Sequence, residues 1–326
     1  MLKIYNLMRC TISYHLSRLC RKTIFTSMPI SLSIEPTTAC NLRCPECPSG
    51  LRSFSRPTGN IKVDFYKKTI DEIKSFAIQL NFYFQGEPFI HPHFCEMVKY
   101  AHDNNIYTMT STNAHFLSPK QCQEIIKSGL DELIISVDGT TQDTYELYRR
   151  EGDLNKVLEG VRNIIEAKKI AKSKTPYLVF QFLVVKHNEH QIQEIQNMTK
   201  QYGIDELRLK TAQIYNFENG SNFIPEQEIY SRYKKREDGK YEIKSNLQNE
   251  CWRMWQGCVI TWDGRVVPCC FDKDASFVLG ELSKNSFRSI WKGEKYDSFR
   301  DQLFISRSKI DICQNCTEGI KVFSDV

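Results

Sequence analysis

Cys40-Asn41-Leu42-Arg43-Cys44-Pro45-Glu46-Cys47 carries three thiols within eight residues, at a C-x3-C-x2-C spacing. Three thiolates can hold three corners of an iron–sulfur cube and leave the fourth iron open. An open position lets a metal site bind a small molecule, which is also what separates catalytic from structural zinc. The run before it, Ile30-Ser31-Leu32-Ser33-Ile34-Glu35, alternates apolar and polar residues, a strand signal. Pro36 ends that strand, so the cysteines occupy the loop beyond its C-terminal end. On spacing alone, a zinc knuckle or three unrelated thiols is the competing reading.

Outward from this loop, residues 30–211 alternate strand and helix. Tyr66, Ile70, Ile73 and Ala77 mark one helical face, and 78–84 reads as a strand. Phe94, Met97, Val98 and Ala101 mark the next helix, and 106–110 the next strand. Ser118-Pro119 starts a helix that Gly129 closes. A strand at 133–137, a helix at 154–171, a strand at 177–185, a helix at 189–201 and a strand at 206–210 complete the series. Six strands alternating with helices predict an α/β fold with a parallel sheet. Pattern alone does not separate an open sheet from a barrel.

The tail has a second concentration of cysteines: Cys251, Cys258, Cys269, Cys270, Cys313 and Cys316. Asp263-Gly264 lies between two apolar β-type runs, which predicts a hairpin with a tight turn. Cys251 precedes the hairpin, Cys269 follows it, and Cys313-x2-Cys316 is a chelating pair. Two ligands from each would make a closed, fully protein-bound metal site. Cys258 or Cys270 could replace one of them; adjacent Cys269 and Cys270 point in different directions on extended chain. Structural zinc is the alternative occupant.

The chain has 326 residues, 13 of them cysteine, and a net charge of +5. That charge is too mild to argue for nucleic acid, and no apolar run is long enough to span a membrane. Clustered cysteines without a convincing secretory signal point to metal binding in a reducing compartment, the cytoplasm. Cys10, Cys20, Cys95 and Cys122 stand apart and read as small apolar residues. The first 26 residues are basic and free of acids, with Ile4, Leu7, Met8, Ile12, Leu16 and Leu19 at helical spacing. Such a helix suits an anionic membrane surface, a transit-peptide look-alike or the outside of the α/β core; the expectation is that it packs its apolar stripe on that core.

The cysteine loop after a first strand resembles the signature of the radical S-adenosylmethionine (SAM) enzymes. That resemblance implies a partial (β/α)6 barrel. Cys40, Cys44 and Cys47 would ligate a [4Fe–4S] cluster that cleaves SAM to a 5′-deoxyadenosyl radical. The family often has an aromatic residue before the third cysteine; here Glu46 stands there. Barrel active sites lie where strands end, and the family's SAM-contacting motifs have counterparts at those places. Gly86, Glu87 and Pro88 follow the second strand and resemble the motif that meets the SAM amino group. Ser111 and Asn113 follow the third. Ser136 and Asp138 close the fourth, similar to the ribose-contacting segment. Arg149 matches an arginine that pairs with the SAM carboxylate. Gln181 on the fifth strand and Lys210 on the sixth complete the implied site. Five histidines, at 91, 93, 115, 187 and 190, form no pair at ligand spacing and read as surface residues or supports of these loops.

The tail resembles a short SPASM or twitch domain, which implies one auxiliary [4Fe–4S] cluster on Cys251, Cys269, Cys313 and Cys316. The expected organisation is a basic arm (1–26), a core barrel (27–213), a polar linker (214–250) and the auxiliary-cluster domain (251–326). A flavodoxin- or ferredoxin-type donor would supply the electron. Two substrate classes are implied: a small molecule oxidised at a sugar or cyclitol alcohol, which the compact chain favours, or a ribosomally made peptide. A non-catalytic iron–sulfur or zinc scaffold is the reading from another class.

Overall fold

The computed structural model describes residues 2–24, 27–245 and 247–317. Its elements begin with α1 (Leu2–Cys20), β1 (Ser31–Ile34), α2 (Pro48–Leu51), α3 (Val63–Ile73), β2 (Gln79–Asn81), α4 (Phe94–Asp103) and β3 (Tyr107–Thr112). They continue with α5 (Pro119–Ser128), β4 (Glu132–Ser136), α6 (Gln142–Tyr148), α7 (Leu154–Ile170), β5 (Tyr177–Val184), α8 (Ile192–Tyr202) and β6 (Glu206–Thr211). A hairpin of β7 (Tyr233–Lys235) and β8 (Tyr241–Ile243) follows. The tail holds α9 (Arg253–Gln256), β9 (Val259–Ile260), β10 (Arg265–Val267), β11 (Gly280–Glu281), α10 (Phe287–Trp291), α11 (Glu294–Ser306) and α12 (Asp311–Gln314).

The described residues form two compact units, one from 2–39, 54–109 and 247–317, the other from 40–53 and 110–245. In the first unit the strands run in the order β11-β10-β9-β1-β2-β3. β1, β2 and β3 are parallel, and β9 joins β1 in parallel before β10 turns back. Alternation sorts the side chains. Leu32, Ile34 and Leu80 are fully buried with Tyr66, Ile70 and Ile73 of α3 and Met97, Val98 and Ala101 of α4. Ser31, Ser33, Gln79 and Asn81 take the other face. The expected strand at 78–84 shortens to Gln79–Asn81, because the chain then bends toward the left-handed turn at Gly86, where φ is +78°.

In the second unit β4, β5 and β6 are parallel. One face is a continuous apolar layer: Leu133, Ile135, Leu178, Phe180, Phe182, Leu207 and Leu209 are all buried. The other face is polar toward the strand ends. In register, Ser136 lies beside Gln181 and Leu183 beside Lys210. The anticipated stops hold for α5. Ser118 accepts a hydrogen bond from the Gln121 N–H, Pro119 opens the helix, and Gly129 closes it at φ +74°.

Two expectations change. Helix α1 does not bury its apolar stripe. It buries Cys10, Ser13, Tyr14 and Ser17 instead. The Cys10 thiol donates to the Trp255 carbonyl at 3.1 Å, and the Trp255 indole N–H donates to the Ser13 hydroxyl at 3.1 Å. The small side chains at 10, 13 and 17 let α1 lie close on α9, and these bonds decide which face turns inward. The stretch read as a polar linker also contributes core. Ile214, Ile224 and Tyr233 are buried in one cluster with Leu42, Cys44 and Tyr148. Its apolar residues follow no period, so the sequence shows only the charged residues between them.

Candidate functional site

The cysteine loop belongs to the second unit and is held on several sides. Leu42 is fully buried and anchors it in the cluster just described. The Arg43 N–H donates to the Arg150 carbonyl at 3.0 Å, and the Cys47 N–H to the Cys44 carbonyl at 3.3 Å. A Cβ added at Gly50 would come within 2.6 Å of the Cys44 backbone, so that contact requires glycine. Glu46, where an aromatic residue is usual, accepts a hydrogen bond from the Tyr215 N–H at 3.0 Å. It thereby ties the loop to the stretch after β6. Cys44 is buried, and Cys40 and Cys47 are half-buried.

Polar groups aim at these sulfurs. The Asn113 amide stands 3.9 Å from Cys40 Sγ and donates to Asn41 Oδ1 at 2.8 Å. Arg149 Nη1 stands 3.9 Å from Cys44 Sγ, while its Nε donates to Asp138 Oδ2 at 2.5 Å. Burial opposes the Arg149 charge, but Asp138 and the Cys44 sulfur hold its pKa well above the ordinary value. For Cys44, burial raises the thiol pKa and Arg149 draws it back. Asp138 is fully buried. Its other oxygen accepts the Leu183 N–H at 2.7 Å, and Asn188 donates to its carbonyl at 2.9 Å. Asp138 therefore acts on its surroundings through Arg149. Ser136, Gln181 and Lys210 share the polar face of β4–β6, and Ser111 lies in β3.

His115 supports the Asn113 turn. Its Nε2 accepts the Asp153 N–H at 2.9 Å, so the ring proton sits on Nδ1 and donates to the Asn113 carbonyl at 2.9 Å. Burial lowers its pKa. Asp153 in turn caps α7 by accepting from the Asn155 and Lys156 N–H groups. The sequence offered no sign of this bridge, because His115 and Asp153 lie 38 residues apart.

Gly86, Glu87 and Pro88 lie in the first unit. A Cβ at Gly86 would fall 2.3 Å from the Thr37 carbonyl oxygen, and the Glu87 N–H donates to the Ala39 carbonyl at 2.7 Å. The motif thus clamps the backbone immediately before Cys40. The Glu87 carboxylate accepts from the Phe89 N–H. The same stretch is anchored by Glu35, whose oxygens accept Arg56 Nη1 at 2.9 Å and Nη2 at 2.6 Å. Both side chains of this pair are essentially fully buried. Burial raises the Glu35 pKa and Arg56 opposes it.

The tail cysteines also belong to the first unit. Cys313 and Cys316 are buried, Cys251 and Cys269 half-buried, and Cys270 exposed. Burial pushes the Cys269 thiol well up, with further contributions from Cys270, Cys251 and Cys313. Cys313 is pushed up to about 11, by burial first, with Arg307 drawing it back. Arg307 is buried among these groups and donates to Cys316 Sγ at 3.3 Å and to the Glu250 carbonyl at 2.8 Å. Cys258 faces Tyr296 and Arg300, and burial pushes its thiol up to about 12. Among the described residues no three Cys, His, Asp or Glu side chains gather around one metal-ion position. The thiolates of a multi-iron cluster bind different irons and need not converge on one point. Sulfur-only donor sets with N–H groups aimed at the sulfurs suit iron–sulfur clusters in both places.

Beside Cys269 and Cys270 lies a cavity of about 260 Å³. Ser31, Ser33, Gln79 and Asn81, the polar faces of β1 and β2, form one wall, and Arg253 and Gln256 contribute to another. The Asn81 Oδ1 is buried without a hydrogen-bond partner.

Residues 34–198 match the radical SAM superfamily, and residues 251–317 match the SPASM iron–sulfur cluster-binding domain. The chain belongs to the radical SAM superfamily. Within it, the chain is an enzyme of the SPASM subgroup, with the radical SAM barrel and a cysteine-rich domain that carries a small antiparallel hairpin. Its cofactors are a SAM-binding [4Fe–4S] cluster, SAM and auxiliary iron–sulfur. It is 24% identical over 315 residues to the tungsten-containing aldehyde ferredoxin oxidoreductase cofactor-modifying protein of Pyrococcus furiosus, covering 88% of this chain and 86% of that one. The crystal structure of BtrN in complex with AdoMet and 2-DOIA superposes with a TM-score of 0.56 at 18% identity, covering 92% of this chain and 97% of that chain. Streptococcus suis SuiB bound to the precursor peptide SuiA superposes with a TM-score of 0.64 at 15% identity, covering 93% and 72%.

Proposed function

We propose that this enzyme oxidises a small polar molecule at an alcohol carbon, of the sugar or cyclitol type. Cys40, Cys44 and Cys47 hold the SAM-binding cluster, and Cys251, Cys269, Cys313 and Cys316 hold a single auxiliary [4Fe–4S] cluster. When bound, these groups and SAM supply a 5′-deoxyadenosyl radical that takes a hydrogen atom from the substrate, and an acceptor for the electron that remains. The chain's own residues do the rest. Arg149 and Asn113 bring N–H groups to the first cluster's sulfurs and Arg307 to the second's. Ser111, Ser136, Asp138, Arg149, Gln181 and Lys210 in the second unit, and Gly86, Glu87 and Pro88 in the first, are the residues proposed as SAM contacts.

The observation that carries the substrate class is the cavity beside Cys269. Hydroxyl and amide side chains line it, with Ser31, Ser33, Gln79 and Asn81 on one wall. Its volume of about 260 Å³ suits a molecule of sugar size. The BtrN complex with 2-DOIA, a small ligand, points the same way. A flavodoxin- or ferredoxin-type protein is the proposed electron donor. The clustered cysteines, with no disulfide joining them among the described residues, support a cytoplasmic setting.

The test is 5′-deoxyadenosine formation by anaerobically reconstituted, reduced protein with a panel of polyols, aminocyclitols and peptides. Small polyols are expected to stimulate turnover. Asn81→Leu is expected to lose at least about tenfold of that stimulation while keeping basal SAM cleavage, because it turns part of the polar wall apolar. Stimulation by peptides alone would assign the enzyme to peptide modification. No SAM cleavage under any condition would favour a non-catalytic iron–sulfur scaffold.

A further inference from the structure

Helix α1 turns its apolar residues away from the protein. Ile4, Met8, Ile12, Leu16 and Leu19 recur three or four residues apart and Tyr5 lies beside Ile4, which places them on one face. They range from 40% exposed at Leu16 to 78% at Leu19, while Cys10, Ser13 and Ser17 on the opposite face are fully buried. At 100° per residue, Arg9 and Arg18 flank the two edges of the stripe. Both are exposed, as are Arg21 and Lys22 just beyond the helix. Arg18 also pairs with Glu250 at 2.8 Å, and Arg21 donates to the Asn249 carbonyl at 3.0 Å. The helix itself contains no acidic residue.

We propose that α1 is a membrane-surface helix that seats the enzyme on a bilayer rich in anionic lipid. An apolar stripe edged by cations is the pattern of a helix lying in the plane of the headgroups. The apolar side chains enter the acyl boundary, and the arginine stems let their guanidiniums reach the phosphates. The inward face is fixed by the bonds to Trp255, so the stripe is presented on a folded support. At 19 residues the helix is roughly 28 Å long, and no helix among the described residues is long and apolar enough to cross a membrane. The helix therefore lies on the surface. A second copy of this chain fits the face less well, because two such stripes would bring their cationic edges together.

The experiment is co-flotation of the reconstituted protein with phosphatidylcholine vesicles, with and without phosphatidylglycerol. Wild type is expected to float with the anionic vesicles and to be released by salt. Ile12→Asp with Leu19→Asp is expected to lower binding at least tenfold. Arg9→Gln with Lys22→Gln is expected to lower it about fivefold per charge removed. Iron content and SAM cleavage, which do not involve these exposed residues, check that the variants are folded. Failure of wild type to float on anionic vesicles, or undiminished flotation of the aspartate variant, would overturn the proposal. So would a dimer in light scattering that the aspartate variant splits, because the face would then belong to a second copy.

Discussion

His91 and His115 hold their turns only as neutral rings. His91 Nδ1 accepts the His93 N–H at 3.2 Å, and its Nε2–H donates to the Ile61 carbonyl at 2.9 Å. His115 uses the opposite tautomer. A second ring proton would turn an acceptor into a donor facing an N–H. Burial lowers both pKa values. The fold therefore favours the neutral forms. Their contribution is complete above the unfolded pKa of about 6.5 and is lost as pH falls through the lower folded values. Melting temperature measured across pH is expected to be level above neutrality and to drop below about 6.5. Replacing either histidine by asparagine should flatten that drop. Sequence could not assign these roles, since each depends on which backbone N–H meets which ring nitrogen. It also left Glu46 as an oddity, because its partner at Tyr215 lies 169 residues away. Of the isolated cysteines read as apolar fillers, Cys10 and Cys122 are buried, Cys95 is half-buried and Cys20 is exposed.

At the level of elements, β1 ends on the buried pair Glu35–Arg56. Arg56 also donates through Nε to the Lys273 carbonyl at 3.1 Å, and the Trp262 N–H donates to Glu35 at 3.2 Å. One ion pair thus joins the strand before the cysteine loop to the hairpin and to the chain after β10. Arg56→Met is expected to cost about 3–5 kcal/mol, because it strands a buried carboxylate. Adding Glu35→Gln should recover much of that loss, since no buried charge remains; a thermal-melt double-mutant cycle measures the coupling. The alternation 31–34 and the helix signals at Ser118-Pro119 and Gly129 were legible because they are local. The orientation of α1 was not, because bonds from Cys10 and Ser13 to Trp255 override a stripe that sequence alone would bury.

For the whole molecule, the two sets of thiols make separable predictions. Wild type is expected to take up about eight irons per chain after anaerobic reconstitution, and Cys40/Cys44/Cys47→Ala about four. Cys316→Ala is also expected to retain about four irons and to keep SAM cleavage uncoupled from product. About four irons in wild type, with zinc making up the rest, would replace the auxiliary cluster with structural metal. The parallel order of the strands was legible by rhythm, and the spacing of the two cysteine groups is what the iron counts above test. The cavity was not, since Ser31, Ser33, Gln79 and Asn81 look like ordinary alternating residues until β1 and β2 lie side by side. The pairing of β9 with β1 has a consequence for biosynthesis. Ser33 meets Val259 across that ladder, and a Cβ at Gly257 would fall 1.7 Å from the Ser31 carbonyl oxygen. On the ribosome, at about 5–20 residues per second, the edge of β1 therefore waits tens of seconds for its neighbour. During that interval the nascent chain presents an open strand edge beside the three thiols of the cysteine loop, the state in which a chaperone or an iron–sulfur carrier would find it.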